Sequence, residues 1–232
     1  MTRRPAQHRS WRRHAMRGVR FAALVTAQIL GGLLMSDVAL AVKLDAQVMR
    51  QSEQDIEVQY VLVNSTPGRI LLFDQLLSFD AKGAIRLAQY GAYVFRDGEK
   101  SARLVIGLVA PPMFMSVARR PPIVVSILEP GATRTAAIKL SLPLAEFNPY
   151  FPVQACDPKQ AKPVIRLQVQ LGWVEQRSGM SLGKVVVEGK EFDRLSGGWG
   201  SPLQRVAMAE VAVHGVGLCE YAGQFDRPEL QK

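Results

Sequence analysis

One stretch of the sequence has the spacing of a nucleophilic serine. Residues 179–183 read GMSLG and match G-x-S-x-G, with Asp193 and His214 following in the chain. In serine hydrolases this pattern holds the serine on a strained turn between a strand and a helix, and an acid and a histidine come later. Here the next residues read Lys-Val-Val-Val-Glu, which favours a strand and makes residues 179–183 a glycine-rich hairpin loop. A secreted hydrolase using Ser181, Asp193 and His214 is kept as an alternative function.

Histidine and cysteine are too scarce after residue 41 to predict a metal site. His214 is the only histidine there, and the two cysteines, Cys156 and Cys219, do not form a C-x-x-C pair. A zinc site takes three or four Cys, His or carboxylate ligands. We therefore expect no metal, no cofactor and a structural Cys156–Cys219 disulfide, as is usual for two cysteines in an exported chain.

A proline-bracketed segment is the first candidate for binding. Two proline pairs, 111–112 and 121–122, enclose soft apolar side chains followed by two cations. Methionine and aromatic side chains suit adaptable recognition, and prolines reduce the entropy lost on ordering. The candidate residues are Met113, Phe114, Met115, Arg119 and Arg120. The alternative is that the three apolar side chains fill one end of the core.

Trp199 is the second candidate, because it lies in the glycine-rich stretch GGWGSP at 197–202. A tryptophan in such a loop is either an exposed stacking surface or a lid over the core. A carbohydrate-binding module that uses Trp199, with Trp173 or Tyr150, is therefore a further alternative.

Two other polar residues fall at predicted strand ends. Asn64-Ser65-Thr66 matches a glycosylation sequon, but its position before Pro67-Gly68 favours turn chemistry. Asp74 follows an apolar run and is expected to accept hydrogen bonds from backbone amides at a strand bend.

The N-terminus has the three parts of a secretory signal. Seven arginines precede residue 21, residues 21–35 are uncharged and mainly apolar, and Ala39-Leu40-Ala41 forms a small-x-small site. This order predicts a signal peptide over 1–41, cleaved after Ala41, and hence a periplasmic or extracellular protein. An uncleaved anchor helix over 21–41 is the alternative.

The charge lies mostly in that leader. The whole chain has a formal charge of +9, but residues 42–232 contain 22 Lys and Arg against 19 Asp and Glu. Nucleic-acid binding needs a basic face on the folded domain, so we expect no nucleic-acid partner.

The period of hydrophobicity after residue 41 is two, which predicts β-strands. Residues 55–62 and 166–173 alternate apolar and mainly polar side chains, as in antiparallel sheets with one face on a core. Further strands are predicted at 43–49, 70–79, 85–95, 103–109, 123–128, 133–142, 184–188 and 206–214. The predicted fold is all-β: an antiparallel two-sheet immunoglobulin-like sandwich, extended by a C-terminal segment that carries the disulfide.

Composition changes at the proline-rich stretch after Phe147, which divides the predicted sandwich. We expect an immunoglobulin-like unit over 42–147, a proline-rich connection over 148–163, strands completing the same sandwich over 164–225, and a polar tail over 226–232. About 100 residues precede the connection, the size of a seven-strand unit.

The strand order resembles small exported bacterial immunoglobulin-like domains. Residues 55–142 also resemble the intracellular proteinase inhibitor family in four features: a strand ending at Asn64, Phe73-Asp74, a turn at Gly83, and Pro130-Gly131 before a last strand. This second resemblance implies a proteinase-inhibitor-like activity as another alternative. The leading expectation is a non-enzymatic β-sandwich that binds another envelope or extracellular protein and has no membrane span once the signal is removed.

Overall fold

Strands are the main secondary structure of this chain. A computed structural model of the chain describes residues 42–80, 82–88, 90–111, 121–150, 156–196 and 204–220. Its strands are β1 Val42–Gln51, β2 Asp55–Asn64, β3 Ile70–Leu72, β4 Leu77–Phe79, β5 Ile85–Leu87, β6 Tyr93–Arg96, β7 Ser101–Ile106, β8 Val124–Leu128, β9 Thr133–Ser141, β10 Leu144–Ala145, β11 Lys162–Glu175, β12 Ser181–Val187, β13 Lys190–Ser196 and β14 Arg205–Cys219. Within these ranges the one helical element is a 3₁₀ turn, Pro158–Gln160. The all-β prediction is confirmed.

The strands form a small sheet, a large sheet and a separate hairpin. The small sheet has the order β1-β2-β9, and the hairpin is β4-β5. The nine-stranded sheet follows the order β10-β14-β11-β3-β8-β13-β12, with β7 joining β11 to β6. The strands after residue 160 therefore share a sheet with β3, β7 and β8. Two of its pairs, β7–β11 and β10–β14, are parallel, which corrects the expectation of antiparallel pairing throughout.

Alternation along the two long central strands forms the main core. Every second side chain of β2 is buried, and in β11 the buried series is Leu167, Val169, Leu171 and Trp173. These residues belong to one cluster that draws on strands of both sheets. Burial of this apolar surface is the main favourable term in folding, at roughly 25 cal/mol per Å².

The outer face of β11 departs from the predicted pattern because it is not fully solvated. Gln170 was expected in water but is buried. Its parallel neighbour Val105 belongs to a second apolar cluster with Tyr93 and Phe95. The large sheet therefore carries apolar clusters on both faces near β6 and β7.

Two long predicted strands are each broken. The segment 70–79 divides into β3 and β4, and 85–95 divides into β5 and β6. β3 pairs with β11 and β8, whereas β4 pairs only with β5. The chain thus leaves the large sheet after Leu72 to form the small hairpin and returns at Tyr93.

Asn64 is a turn residue, as its sequence context indicates. Its side chain is fully buried, and its Nδ2 donates to the carbonyls of Gly68 and Leu128 at 2.9 and 3.0 Å. Its Oδ1 accepts from the Thr66 amide at 3.0 Å. Because the amide nitrogen already donates both of its protons, the folded chain does not present Asn64 for glycosylation.

A buried carboxylate, Asp74, connects β8 of the large sheet with β9 of the small sheet through an ion pair whose arginine is 39% exposed. The Asp74 side chain, 0% exposed, accepts a 2.6 Å hydrogen bond from Ser126 on β8 and lies 2.9 Å from Nη2 of Arg134 on β9. The partners of Asp74 are therefore the side chains of Ser126 and Arg134, not the backbone amides that the sequence predicted. Burial, reinforced by the Asp74 charge, raises the pKa of the neighbouring Tyr60 hydroxyl above its ordinary value.

In the described ranges, no helix is both long and apolar enough to span a membrane.

Candidate binding site

The predicted binding residues belong to two segments whose flanking residues can be located. Met113, Phe114, Met115, Arg119, Arg120 and Trp199 all lie outside the described residues. The first segment, 112–120, follows the end of β7 and precedes β8. The second, 197–203, connects β13 to β14.

Gln204 joins one end of each segment. Its Oε1 accepts from the Leu108 amide at 2.7 Å, and its Nε2 donates to the Leu108 carbonyl at 3.1 Å. The side-chain amide thus pairs with the backbone of residue 108 much as a neighbouring strand would. Residue 204 directly follows the second segment and residue 108 lies shortly before the first.

Two glycines leave the room for this contact. Gln204 precedes β14, which pairs with one side of β11, whereas Leu108 extends β7 on the other side. The Gln204 side chain therefore passes over β11 at Gly172. A Cβ added to Gly172 would lie 2.3 Å from Gln204 Oε1, and one added to Gly107 would lie 2.9 Å from it.

The remaining two ends are joined as well. The Leu195 amide donates a 2.9 Å hydrogen bond to the Ile123 carbonyl. Arg194 pairs with Val124 in the adjoining strands β13 and β8. A residue directly or shortly before each segment is therefore hydrogen-bonded to a residue directly or shortly after the other segment.

Arg205 contributes a cation beside the Gln204 contact. Its guanidinium lies 5.3 Å from the centre of the Trp173 ring and 2.8 Å from Glu175 Oε1. Trp173 itself is buried in the main core, so it is not presented for stacking on a sugar. Tyr150, the other aromatic candidate, donates its hydroxyl hydrogen bond to the Val109 carbonyl.

The Gln204 contact gives a direct prediction for Gly172→Ala. The new methyl group should displace the Gln204 amide, because 2.3 Å is far inside van der Waals contact. We expect a loss of about 1–2 kcal/mol in the free energy of unfolding, the value of two broken part-buried hydrogen bonds, and faster hydrogen exchange at the Leu108 amide. Both are measurable by urea unfolding and amide exchange.

Gly183→Ala is the matched control, since an added Cβ there meets no atom within 4 Å and the glycine also lies in a strand. In the background of Gln204→Ala, Gly172→Ala should cause no further loss. A cost that persists in that background would show that Gln204 is not the group displaced.

The three residues of the hydrolase alternative lie apart. Ser181 begins β12, where its hydroxyl contacts the Ser196 carbonyl at 3.3 Å. Asp193 on β13 is paired with Lys184, three positions after Ser181 on β12, and its carboxylate lies 2.9 Å from the Lys184 Nζ. His214 is exposed on β14, and β11, β3 and β8 stand between β14 and β13 in the sheet. The strand that carries His214 is therefore not a neighbour of the strand that carries Ser181.

The predicted disulfide is confirmed. Cys156 and Cys219 are bonded, with their Cα atoms 5.5 Å apart. The bond attaches Cys156, two residues before the 3₁₀ turn, to the last residue of β14, beside the short parallel pair of β10 with β14. A disulfide of this kind indicates an oxidising compartment.

Among the described residues, no group of three or more His, Cys, Asp or Glu could hold a metal ion.

No protein-family model, curated protein sequence or solved structure matches this chain.

Proposed function

We propose that this chain is an exported, non-enzymatic binding protein of the bacterial envelope, with an immunoglobulin-like sandwich fold, and that it binds another envelope or extracellular protein. The signal over 1–41 would direct its export. The disulfide between Cys156 and Cys219 agrees with an oxidising destination. Partner binding by loops between the strands of a β-sandwich is a common use of that architecture.

One observation carries the proposal: the residues that flank the segments containing Phe114 and Trp199 are hydrogen-bonded to each other in two pairs. The Gln204–Leu108 and Leu195–Ile123 hydrogen bonds hold their flanking residues together. Two segments anchored in this way can contribute to one surface. An aromatic from each, with the cations Arg119 and Arg120, is the composition expected of an interface centre.

The test is affinity capture from envelope extract, using the disulfide-bonded protein from residue 42 onward. We expect a specific protein to be recovered by the parent chain and lost, at least tenfold, with Phe114→Ser and with Trp199→Ala. A tenfold loss corresponds to about 1.4 kcal/mol, which is modest for truncating an interface aromatic.

Met208→Ser is the matched control, because Met208 is 59% exposed on β14 and lies outside both segments. Circular dichroism and urea unfolding confirm that each variant folds. Capture that survives both aromatic substitutions would overturn the proposed surface.

A further inference from the structure

β12 is the outermost strand of the large sheet in the described part of the chain, where it pairs only with β13. The two strands are joined by the two-residue turn Glu188-Gly189, and their register is regular from Val187–Lys190 to Ser181–Ser196. Residues that flank such a turn exchange both backbone hydrogen bonds, and the pattern alternates along the ladder. The backbone groups of Leu182, Lys184 and Val186 therefore point away from β13.

This edge has few of the features that prevent strand addition. Edge strands are commonly protected by proline, by bulges, by charged side chains such as lysine or by an element that covers them. The β4–β5 hairpin packs against Val185 and Val187 of β12, which lie on the opposite face from Leu182, Lys184 and Val186.

β12 has no proline, and its pairing with β13 has no register shift. Its one charged residue, Lys184, has Nζ 2.9 Å from Asp193 and 3.3 Å from Glu191, so its charge is already compensated. Val186 beside it is 66% exposed.

The pattern along this edge is symmetric about Lys184. An apolar residue lies two positions before it, Leu182, and two positions after it, Val186. Two antiparallel strands run in opposite directions, so two copies of β12 can pair with each other and place apolar residues opposite apolar residues. With Lys184 opposite Lys184, each Leu182 would face a Val186, and both lysines would lie among the Asp193 and Glu191 carboxylates of the two subunits.

We propose that β12 pairs antiparallel with β12 of a second copy of this chain, with the two Lys184 residues at the two-fold axis. The two large sheets then form one continuous sheet, joined by about six backbone hydrogen bonds. This two-fold contact uses the same surface on both subunits, so it forms a closed dimer. The strand at the other edge of the large sheet, β10, takes no part in it. It is independent of the partner proposed above.

Sedimentation equilibrium of the purified, disulfide-bonded protein tests the dimer. A series from about 1 to about 500 μM covers the weak association expected of a small interface. We expect a monomer–dimer equilibrium that Val186→Lys weakens at least tenfold and Met208→Lys leaves unchanged. Both replaced residues are exposed and apolar, so both variants should fold. A monomer at every concentration, or equal effects of the two variants, would overturn the proposal.

Cysteine cross-linking tests the register. Directly opposed residues in a hydrogen-bonded antiparallel pair have Cα atoms about 5.5 Å apart, within the range that a disulfide spans. Lys184→Cys should therefore give a covalent dimer on a non-reducing gel, at several times the yield of Met208→Cys. Equal yields would overturn the two-fold pairing at Lys184.

Discussion

Replacement of Cys156 and Cys219 together by serine should lower the free energy of unfolding by about 4 kcal/mol, the largest effect expected of any change discussed. The disulfide closes a sequence separation of 63 residues, and the entropy that such a loop removes from the unfolded chain gives this magnitude. Because total stabilities are about 5–15 kcal/mol, the loss would leave a marginal fold.

Urea unfolding of the double variant measures this loss. Dithiothreitol should destabilise the parent chain by a similar amount and have no effect on the variant, which contains no other cysteine. A cost below about 1 kcal/mol would contradict a stabilising role of the size that chain entropy predicts.

The second large effect is expected at the ion pair of Asp74 with Arg134. Arg134→Met should destabilise the fold by about 2–3 kcal/mol, because it leaves the buried Asp74 carboxylate without its cation. This is less than for a fully buried pair, because the Arg134 side chain is 39% exposed. Replacing Asp74 by leucine in the same chain should recover part of this loss, since the double variant buries no charge. A double-mutant cycle by urea unfolding measures the coupling.

Arg166→Met is the matched control for this cycle. Arg166 lies 3.5 Å from Glu210, and both side chains are about half exposed. Such a pair contributes about 0–1 kcal/mol. Equal costs for Arg134→Met and Arg166→Met would contradict the account of Asp74 as a charge that depends on Arg134.

Strands in which apolar and polar side chains alternate could be predicted from the sequence. Strands that depend on contacts with residues far away in the chain could not. The pattern at 55–62 predicts β2 because its buried and half-buried side chains alternate without exception. β13 escaped prediction because Lys190–Ser196 is mainly polar and follows Glu188-Gly189, a turn that contains no Asn-Gly or Asp-Gly signal. Its Phe192 and Leu195 are covered by contacts from other strands, which local pattern does not reveal.

The parallel pairs were also beyond sequence reasoning. β7 and β11 are separated by three further strands in the chain, and nothing in their composition marks them as neighbours. The disulfide could be predicted because the chain has two cysteines after residue 41 and an N-terminal pattern that predicts export.

The candidate site could be predicted in part. Residue type singled out the segments that contain Phe114 and Trp199, but not that their ends meet. That proximity depends on Gln204, whose role requires a glycine at 172 on a different strand. A glycine inside an alternating strand pattern is the one signal that could have indicated a close approach at Gly172.

Site-specific photo-cross-linking in the source cell tests the central proposal most directly. A photoreactive phenylalanine analogue would replace Phe114, Trp199 or, as controls, the exposed residues Met49 and Met208. We predict that positions 114 and 199 cross-link to the same envelope or extracellular protein and that positions 49 and 208 do not. Different proteins at 114 and 199, or the same protein at all four positions, would contradict a binding surface formed jointly by the two segments.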